Sequence, residues 1–178
     1  MSGVSNEKLN DRLLFKISSE GTLYISKKAT RKFISYRQDT SRKNEAGGIL
    51  LGRQFENNPD VIVDDITTPL IGDKRSRCQF YRSVSHHKKA VSKWKKSNGT
   101  CLYLGLWHSH PEMVPRPSSV DFGDWTNALK HGQYEGNSLF FMIVGIKEIC
   151  CWQGKSDCNV EKNNKSNYVF DLLKNKNE

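Results

Sequence analysis

The sequence predicts an α/β protein, a single-domain sandwich in which one mixed, curved β-sheet is flanked by helices. Three observations lead there. Apolar, β-type runs alternate along the chain with segments of helical period. The alternation never settles into strict parallel repeats, which argues for a mixed sheet. No internal repeat appears, and no linker is long enough to divide the 178 residues, 36% of them hydrophobic, into two cores. The expected organisation is an N-terminal arm or edge strand over 1–20, one domain over 21–173 and a fraying tail over 174–178.

Each element has its own signal. The first residues are polar apart from LLFKI (13–17), which suits an added edge strand or a loose arm. GTLYIS (21–26) is a strand. KKATRKFISYRQDT is a helix that turns Ala29, Phe33, Ile34 and Tyr36 toward the core. A basic loop, Ser41 to Asn44, leads to Glu45, and GGILLG behind it is a buried strand opened by paired glycines. VIVDDITTPL (61–70) is a third strand, set off by the turn residues NNPD. RCQFYRS (77–83) is a fourth. SVSHHKKAVSKWKKSNG is a helix capped by Ser83 or Ser85, with Val84, His87, Val91 and Trp94 at helical spacing. CLYLGLW (101–107) is an apolar strand, and DFGDWTNALKHG is a helix opened at Ser118-Ser119 and closed by Gly132. SLFFMIVGI (138–146) and KEICCWQG (147–154) form a hairpin of buried strands. A polar loop follows, then a short element at YVFDLL (168–173).

Composition narrows the function. No apolar run approaches the ~20 residues of a membrane span, and the N-terminus lacks a signal-peptide apolar region. Five cysteines at irregular spacing make no disulfide framework and suit reduced thiols in a cytoplasmic protein. The net charge is +9, and nine Lys/Arg with no acid fall between Lys74 and Gly99. That run suits a solvated helix face; the sharper alternative is an acidic partner, either nucleic acid or an acidic protein surface. Aromatic interleaving is thin and no nucleic-acid motif is present, so nucleic acid is disfavoured.

The chemistry concentrates at His108-Ser109-His110-Pro111, followed by EMVPRP and Ser118-Ser119-Val120-Asp121. In a strand, residues two apart share a face, so His108 and His110 project side by side while Trp107 and Ser109 face the other way. Prolines 111, 115 and 117 stop the strand and force a loop. A carboxylate in the first turn of the next helix, Asp121, can fold back onto the strand end. Two histidines and one carboxylate fill three positions of a tetrahedral Zn2+ site and leave the fourth open, the catalytic type of site. Ser118 and Asp121 also spell an ordinary capping box. His86 and His87 suit plain helix positions. Glu45 taken alone is a solvated loop carboxylate; beside a metal it becomes a candidate general base, anchored by the apolar strand that starts just after it.

The set Glu45, His108, His110, Ser118 and Asp121, in the pattern Glu … His-Ser-His-Pro-x6-Ser-x2-Asp, resembles the JAMM (MPN-plus) zinc metalloprotease family, and EAGGILLGR (45–53) resembles the start of its second strand. The resemblance runs from about residue 20 to 152. It implies an MPN/cytidine-deaminase-like sandwich and a hydrolase that cleaves isopeptide or peptide bonds at the carboxyl end of ubiquitin and ubiquitin-like proteins. His108, His110 and Asp121 would hold zinc, Glu45 would act as general base, and Ser118 would donate to the oxyanion. GLWHSHPE and PxPSxxD near a Trp resemble a bacterial antiphage group of the prokaryotic JAB-type branch, found in CBASS operons. There a deubiquitinase-like peptidase works beside E1/E2-like enzymes and removes conjugates from a nucleotidyltransferase. Three alternatives stand beside this. One is a catalytically silent scaffold of the same fold, against which all five motif residues argue. Another is a RadC-like protein, whose usual His-Asn-His-Pro-Ser-Gly differs from HSHPE. The last is a peptidase that releases an amino acid from a sulfur-carrier protein.

Overall fold

The computed structural model describes residues 13–17 and 20–163. Its centre is an eight-stranded sheet. In chain order the elements are β1 (Leu13–Lys16), β2 (Thr22–Ile25), α1 (Lys27–Ser35), β3 (Gly47–Phe55), β4 (Asn58–Ile66), β5 (Lys74–Ser76), β6 (Gln79–Tyr81), α2 (Val84–Lys96), β7 (Leu102–Ser109), α3 (Ser119–His131), β8 (Ser138–Val144), β9 (Ile149–Lys155) and β10 (Val160–Asn163). The strand order is β1-β2-β4-β3-β7-β8-β9-β10, with β5 and β6 forming a separate hairpin. The β2/β4 and β7/β8 pairs are parallel and the other pairs antiparallel, so the sheet is mixed as expected.

The central strands are buried on both faces, and their side chains alternate between two cores. On one face Leu50, Phe140, Met142, Val144 and Trp107 pack with Ala29 and Phe33 of α1. On the other, Ile49, Leu51, Phe141, Ile143 and Leu106 pack with Ala90 of α2 and with Trp125 and Leu129 of α3. Trp125 stacks on Phe141, ring centroids 4.8 Å apart. Among the described residues one helix therefore covers the first face and two cover the second.

The alternation in β7 is broken once. Leu50 pairs with Gly105 but Leu51 pairs with Tyr103, which leaves Leu104 as an extra residue. Gly105 takes φ +142°, open to glycine and strained for other residues, and a Cβ there would lie 1.8 Å from the Phe140 carbonyl oxygen. Tyr103 lies against the α2/α3 core and Leu104 in the α1 core, but Leu106 is again on the α2/α3 side and Trp107 on the α1 side. The bulge turns His108 and His110 toward α3. Without it the period of two would aim them at α1.

Several expectations need correction. The VIVDDITTPL strand ends at Ile66 and begins at Asn58, because the turn is the two residues Glu56-Asn57. Pro59 is tolerated because it sits in a register shift opposite Gln54/Phe55 and beyond the β2 pairing. RCQFYRS is no strand of the main sheet. Its exposed, charged positions cannot be buried on both faces, and β5 and β6 fold back as a hairpin instead. α2 buries His86 and Ala90 rather than the Val84, His87, Val91, Trp94 stripe; Val84 is 73% and Trp94 47% exposed. Small Ala90 lets the helix approach β3, and His86 finds two buried polar partners, which outweighs the larger apolar stripe. The basic residues of α2 are exposed, as a solvated face requires. Ile34 is only partly buried; Tyr36, also partly buried, packs on the core beside Trp107 as expected, and Thr30, Arg37 and Gln38, not singled out in sequence, are buried. The polar stretch after residue 157 contains edge strand β10, paired to β9; charged residues are common on such an edge and read like a loop. LLFKI supplies edge strand β1. YVFDLL, the first residues of the arm and the tail lie outside the described residues.

All five cysteines are free. Among the described residues no helix is long and apolar enough to cross a membrane.

Candidate metal centre

Strand β7 carries His108 almost to its end, and Pro111 follows His110 one residue beyond the strand. The backbone is pinned on both sides: the Ser109 N–H donates to the Ala46 carbonyl at 2.7 Å and the His110 N–H to Val144 at 3.0 Å. The two imidazoles meet with Nε2 atoms 3.0 Å apart. The loop 111–117 is strapped by 146–148, with Ile146 N–H on the Glu112 carbonyl and Lys147 N–H on the Met113 carbonyl. It returns the chain to α3, whose first turn brings Asp121 back.

Asp121 satisfies both readings of its motif. As the N3 residue of a capping box, its Oδ2 accepts from the Ser118 N–H at 2.6 Å and from the Ser118 hydroxyl at 2.7 Å, while its own N–H donates to Ser118 Oγ at 3.2 Å. As a candidate ligand, its Oδ1 lies 3.1 Å from His108 Nε2 and its Oδ2 3.5 Å from His110 Nε2. Ligands at ~2.0–2.2 Å from a tetrahedral zinc stand ~3.3–3.5 Å from one another. The separations here are 3.0 Å between the imidazoles, 3.1 Å from His108 to Asp121 Oδ1 and 3.5 Å from His110 to Asp121 Oδ2, so the three side chains face one another at or a few tenths of an ångström inside that spacing. Two imidazole nitrogens so close, both aimed at a carboxylate, suit a shared cation better than they suit each other.

The fourth member is Glu45, 5% exposed, on the loop just before β3. Glu45, His108 and His110 each offer a ligand atom, all within 4.8 Å of one another. The antiparallel pairing of Gly47 with His108 places it there. Burial and then the charge of Asp121 push its carboxyl up to about 8. Burial also pushes the His108 imidazole down, opposed by Asp121; neutral imidazole is the form that binds metal. For Asp121 burial works upward, but the hydrogen bond and charge of His108 and the Ser118 donors hold it well below the usual carboxylate range.

The structure thus brings Glu45, His108, His110 and Asp121 together, with Ser118 touching Asp121. It keeps His86 and His87 apart from them. His86 is buried between Thr67 Oγ1 (2.7 Å) and Asp73 Oδ2 (2.9 Å), and His87 is exposed. Sequence reasoning missed Glu112, whose Oε2 faces His110 Nδ1 at 3.4 Å and accepts from the Arg116 N–H at 2.9 Å. A carboxylate two residues past a candidate ligand is the signal that could have found it, since ligating histidines commonly turn their second nitrogen to such a group. It also missed Arg82, which pairs with Asp124 of α3 at 2.5 Å and joins the connection between β6 and α2 to the site's helix; nothing in the local sequence marks it. A hollow of about 380 Å³ lined by Gln54, Asn58, Asn137 and Gln153 lies at the Phe55 end of β3, away from Gly47, and includes none of these residues.

A family model described as prokaryotic homologs of the JAB domain matches residues 27–154. A protein from Vibrio cholerae serotype O1 named CD-NTase/cGAS isopeptidase is 35% identical over 146 residues, 82% of this chain and 88% of that protein. One of the same name from Escherichia coli is 31% identical over 160 residues, 89% and 97% of the two chains. Another, from Pseudomonas aeruginosa, is 35% identical over 124 residues, 69% and 77%. The solution structure of protein DSY2949 from Desulfitobacterium hafniense shares the fold, with a TM-score of 0.55 and 24% identity over 78% of this chain and 87% of that one. The family match runs from the first residue of α1 into β9, across every strand and helix that carries the converging side chains, and this chain belongs to the prokaryotic JAB-domain family.

Proposed function

We propose that this protein is a zinc-dependent isopeptidase that hydrolyses the bond after the carboxyl-terminal tail of a ubiquitin-like or otherwise conjugated protein. The observation that carries the reading is the meeting of His108 and His110 with the carboxylate of Asp121, and the buried carboxylate of Glu45 beside the same two histidines, in a chain of the JAB family. The names of the relatives support a nucleotidyltransferase conjugate as substrate. We propose with it a role in bacterial antiphage defence, E1/E2-like enzymes as the source of the conjugate, and the cytoplasm as the compartment.

The donor set fits zinc: two imidazoles, one of them favoured in its neutral form, and one carboxylate held ionised. Zinc held by these residues supplies Lewis acidity toward water and the scissile carbonyl. The chain does the rest. Glu45 accepts the proton of the attacking water and passes it to the leaving amine, a lysine ε-amine in an isopeptide. Burial and the nearby Asp121 raise the affinity of this carboxyl for the proton it takes. Ser118 donates to the developing oxyanion. Its hydroxyl here donates to Asp121 and must turn to do so. Glu112 holds His110 in orientation from its far nitrogen. None of the free cysteines is needed as nucleophile.

The test is incubation with tail-linked fusions, one folded and one unfolded, followed by intact-mass analysis. Cleavage after the last tail residue of the folded fusion, with little action on unfolded chains, is expected. Equal cutting of casein-like chains at scattered sites would make this a general protease.

A further inference from the structure

The proposed mechanism needs Glu45 beside two histidines, yet among the described residues no hydrogen bond holds its carboxylate. Its place is set through the main chain. The Glu45 N–H donates to the Ser76 carbonyl at 2.8 Å, and the Glu45 carbonyl accepts from Arg75 Nε at 2.8 Å, both from strand β5. The next residue faces the metal strand instead. The Ala46 N–H donates to Ser109 Oγ at 2.9 Å, and the Ala46 carbonyl accepts from the Ser109 N–H at 2.7 Å. Ser109 stands between the two histidines and points to the opposite face from them.

One side chain closes this arrangement. Gln38, fully buried, takes the Ser109 hydroxyl proton on Oε1 at 3.0 Å, and its Nε2 donates to the carbonyls of Arg77 at 2.8 Å and Lys43 at 3.2 Å. The amide orientation is unambiguous, since both carbonyls can only accept. With its proton committed to Gln38, the Ser109 oxygen offers a lone pair to the Ala46 N–H. Gln38 thereby ties three segments together: the end of β7, the loop before Glu45, and the turn of the β5–β6 hairpin that clamps the Glu45 backbone.

We propose that Gln38 is a positioning residue, acting through Ser109 and Ala46, that sets the distance of Glu45 from the His108/His110 pair. This rests on the reading of Glu45 as general base. Gln38→Leu removes the acceptor and both donors at similar size. Two measurements judge it. Amide hydrogen exchange should quicken at least ten-fold at Glu45 and Ala46 while Leu106 and Phe141 in the central sheet stay protected. With the tail-linked fusion, kcat should fall on the order of 10- to 100-fold at unchanged KM and unchanged zinc content, because the substrate and metal contacts are untouched while the base is displaced. Ser109→Ala breaks the same chain one link nearer to Glu45 and should give the same pattern; if Gln38→Leu fails to fold, it carries the test. The double variant should lose no more rate than the worse single one. Unchanged exchange at Ala46 overturns the proposal, as does a loss of zinc or a rise in KM parallel to the fall in kcat. Should the wild-type protein leave the fusion intact, the reading of Glu45 as base fails, and the exchange measurement still decides whether Gln38 holds its backbone.

Discussion

Replacing Asp73 by Asn tests how the site's scaffold is held. Asp73 lies in the connection between β4 and β5, its side chain 1% exposed. Three donors meet its carboxylate: the Leu70 N–H at 2.7 Å, the Ser83 N–H at 2.8 Å and His86 Nε2 at 2.9 Å. Asp73, held ionised, can only accept, so His86 Nε2 carries the proton given to it. On the other side of the ring Nδ1 meets Thr67 Oγ1, which also accepts from the Ile49 N–H at 2.8 Å. Thr67 also takes Trp107 Nε1 on its carbonyl at 2.8 Å, which links this network to β3 and to the residue before His108. Burial works to raise the Asp73 carboxyl, but His86 and the two backbone donors outweigh it and hold the group at about 2 against an ordinary 3.8. At about 1.4 kcal/mol per unit, that difference is worth about 2 kcal/mol of stability. The folded-state value lies below the unfolded one. The stabilisation is therefore complete above about pH 4 and is lost as pH falls toward 2. The assay is urea unfolding at a series of pH values for wild type and Asp73→Asn. The gap between the two should be about 2 kcal/mol or more at pH 6 and close over the interval from 4 to 2. A gap that stays constant across that interval would refute the reasoning, since the ionised form would then contribute nothing special.

Three further outcomes are expected. The double variant His108→Ala, His110→Ala should hold no zinc after equilibrium dialysis, read by native mass spectrometry; full occupancy would sink the ligand assignment. Glu45→Gln should keep its zinc and lose turnover of the tail-linked fusion by at least ~10²; a near wild-type rate would remove Glu45 from the chemistry. Gly105→Ala places a methyl group against the Phe140 carbonyl and forces a strained φ, so it should lower stability by ~3 kcal/mol or more in thermal unfolding and loosen the β7/β8 pairing. A variant as stable as wild type would show that the bulge is not needed where it is.

What the sequence determined by itself is what short spacing controls. A period of two puts His108 and His110 on one face of any strand they occupy, and Ser118 with Asp121 at N3 caps any helix that starts there. Long apolar runs such as SLFFMIV have no way to be stable except buried on both sides. These rules act within a few residues, so they survive whatever the rest of the chain does. Tertiary structure decided which face and which neighbour. One glycine bulge at Gly105 chooses whether the histidines look toward α3 and Asp121 or toward α1, and the bulge exists only because β7 must register with β3 and β8. The buried side of α2 was likewise chosen by Thr67 and Asp73, distant in sequence, which made His86 better inside than Val84 or Trp94. Gln38 and Arg75 carry no local signature at all. Their roles arise where the segment after α1, the β5–β6 hairpin and β7 meet around Glu45, and a contact between segments far apart in sequence leaves no periodic trace in any one of them.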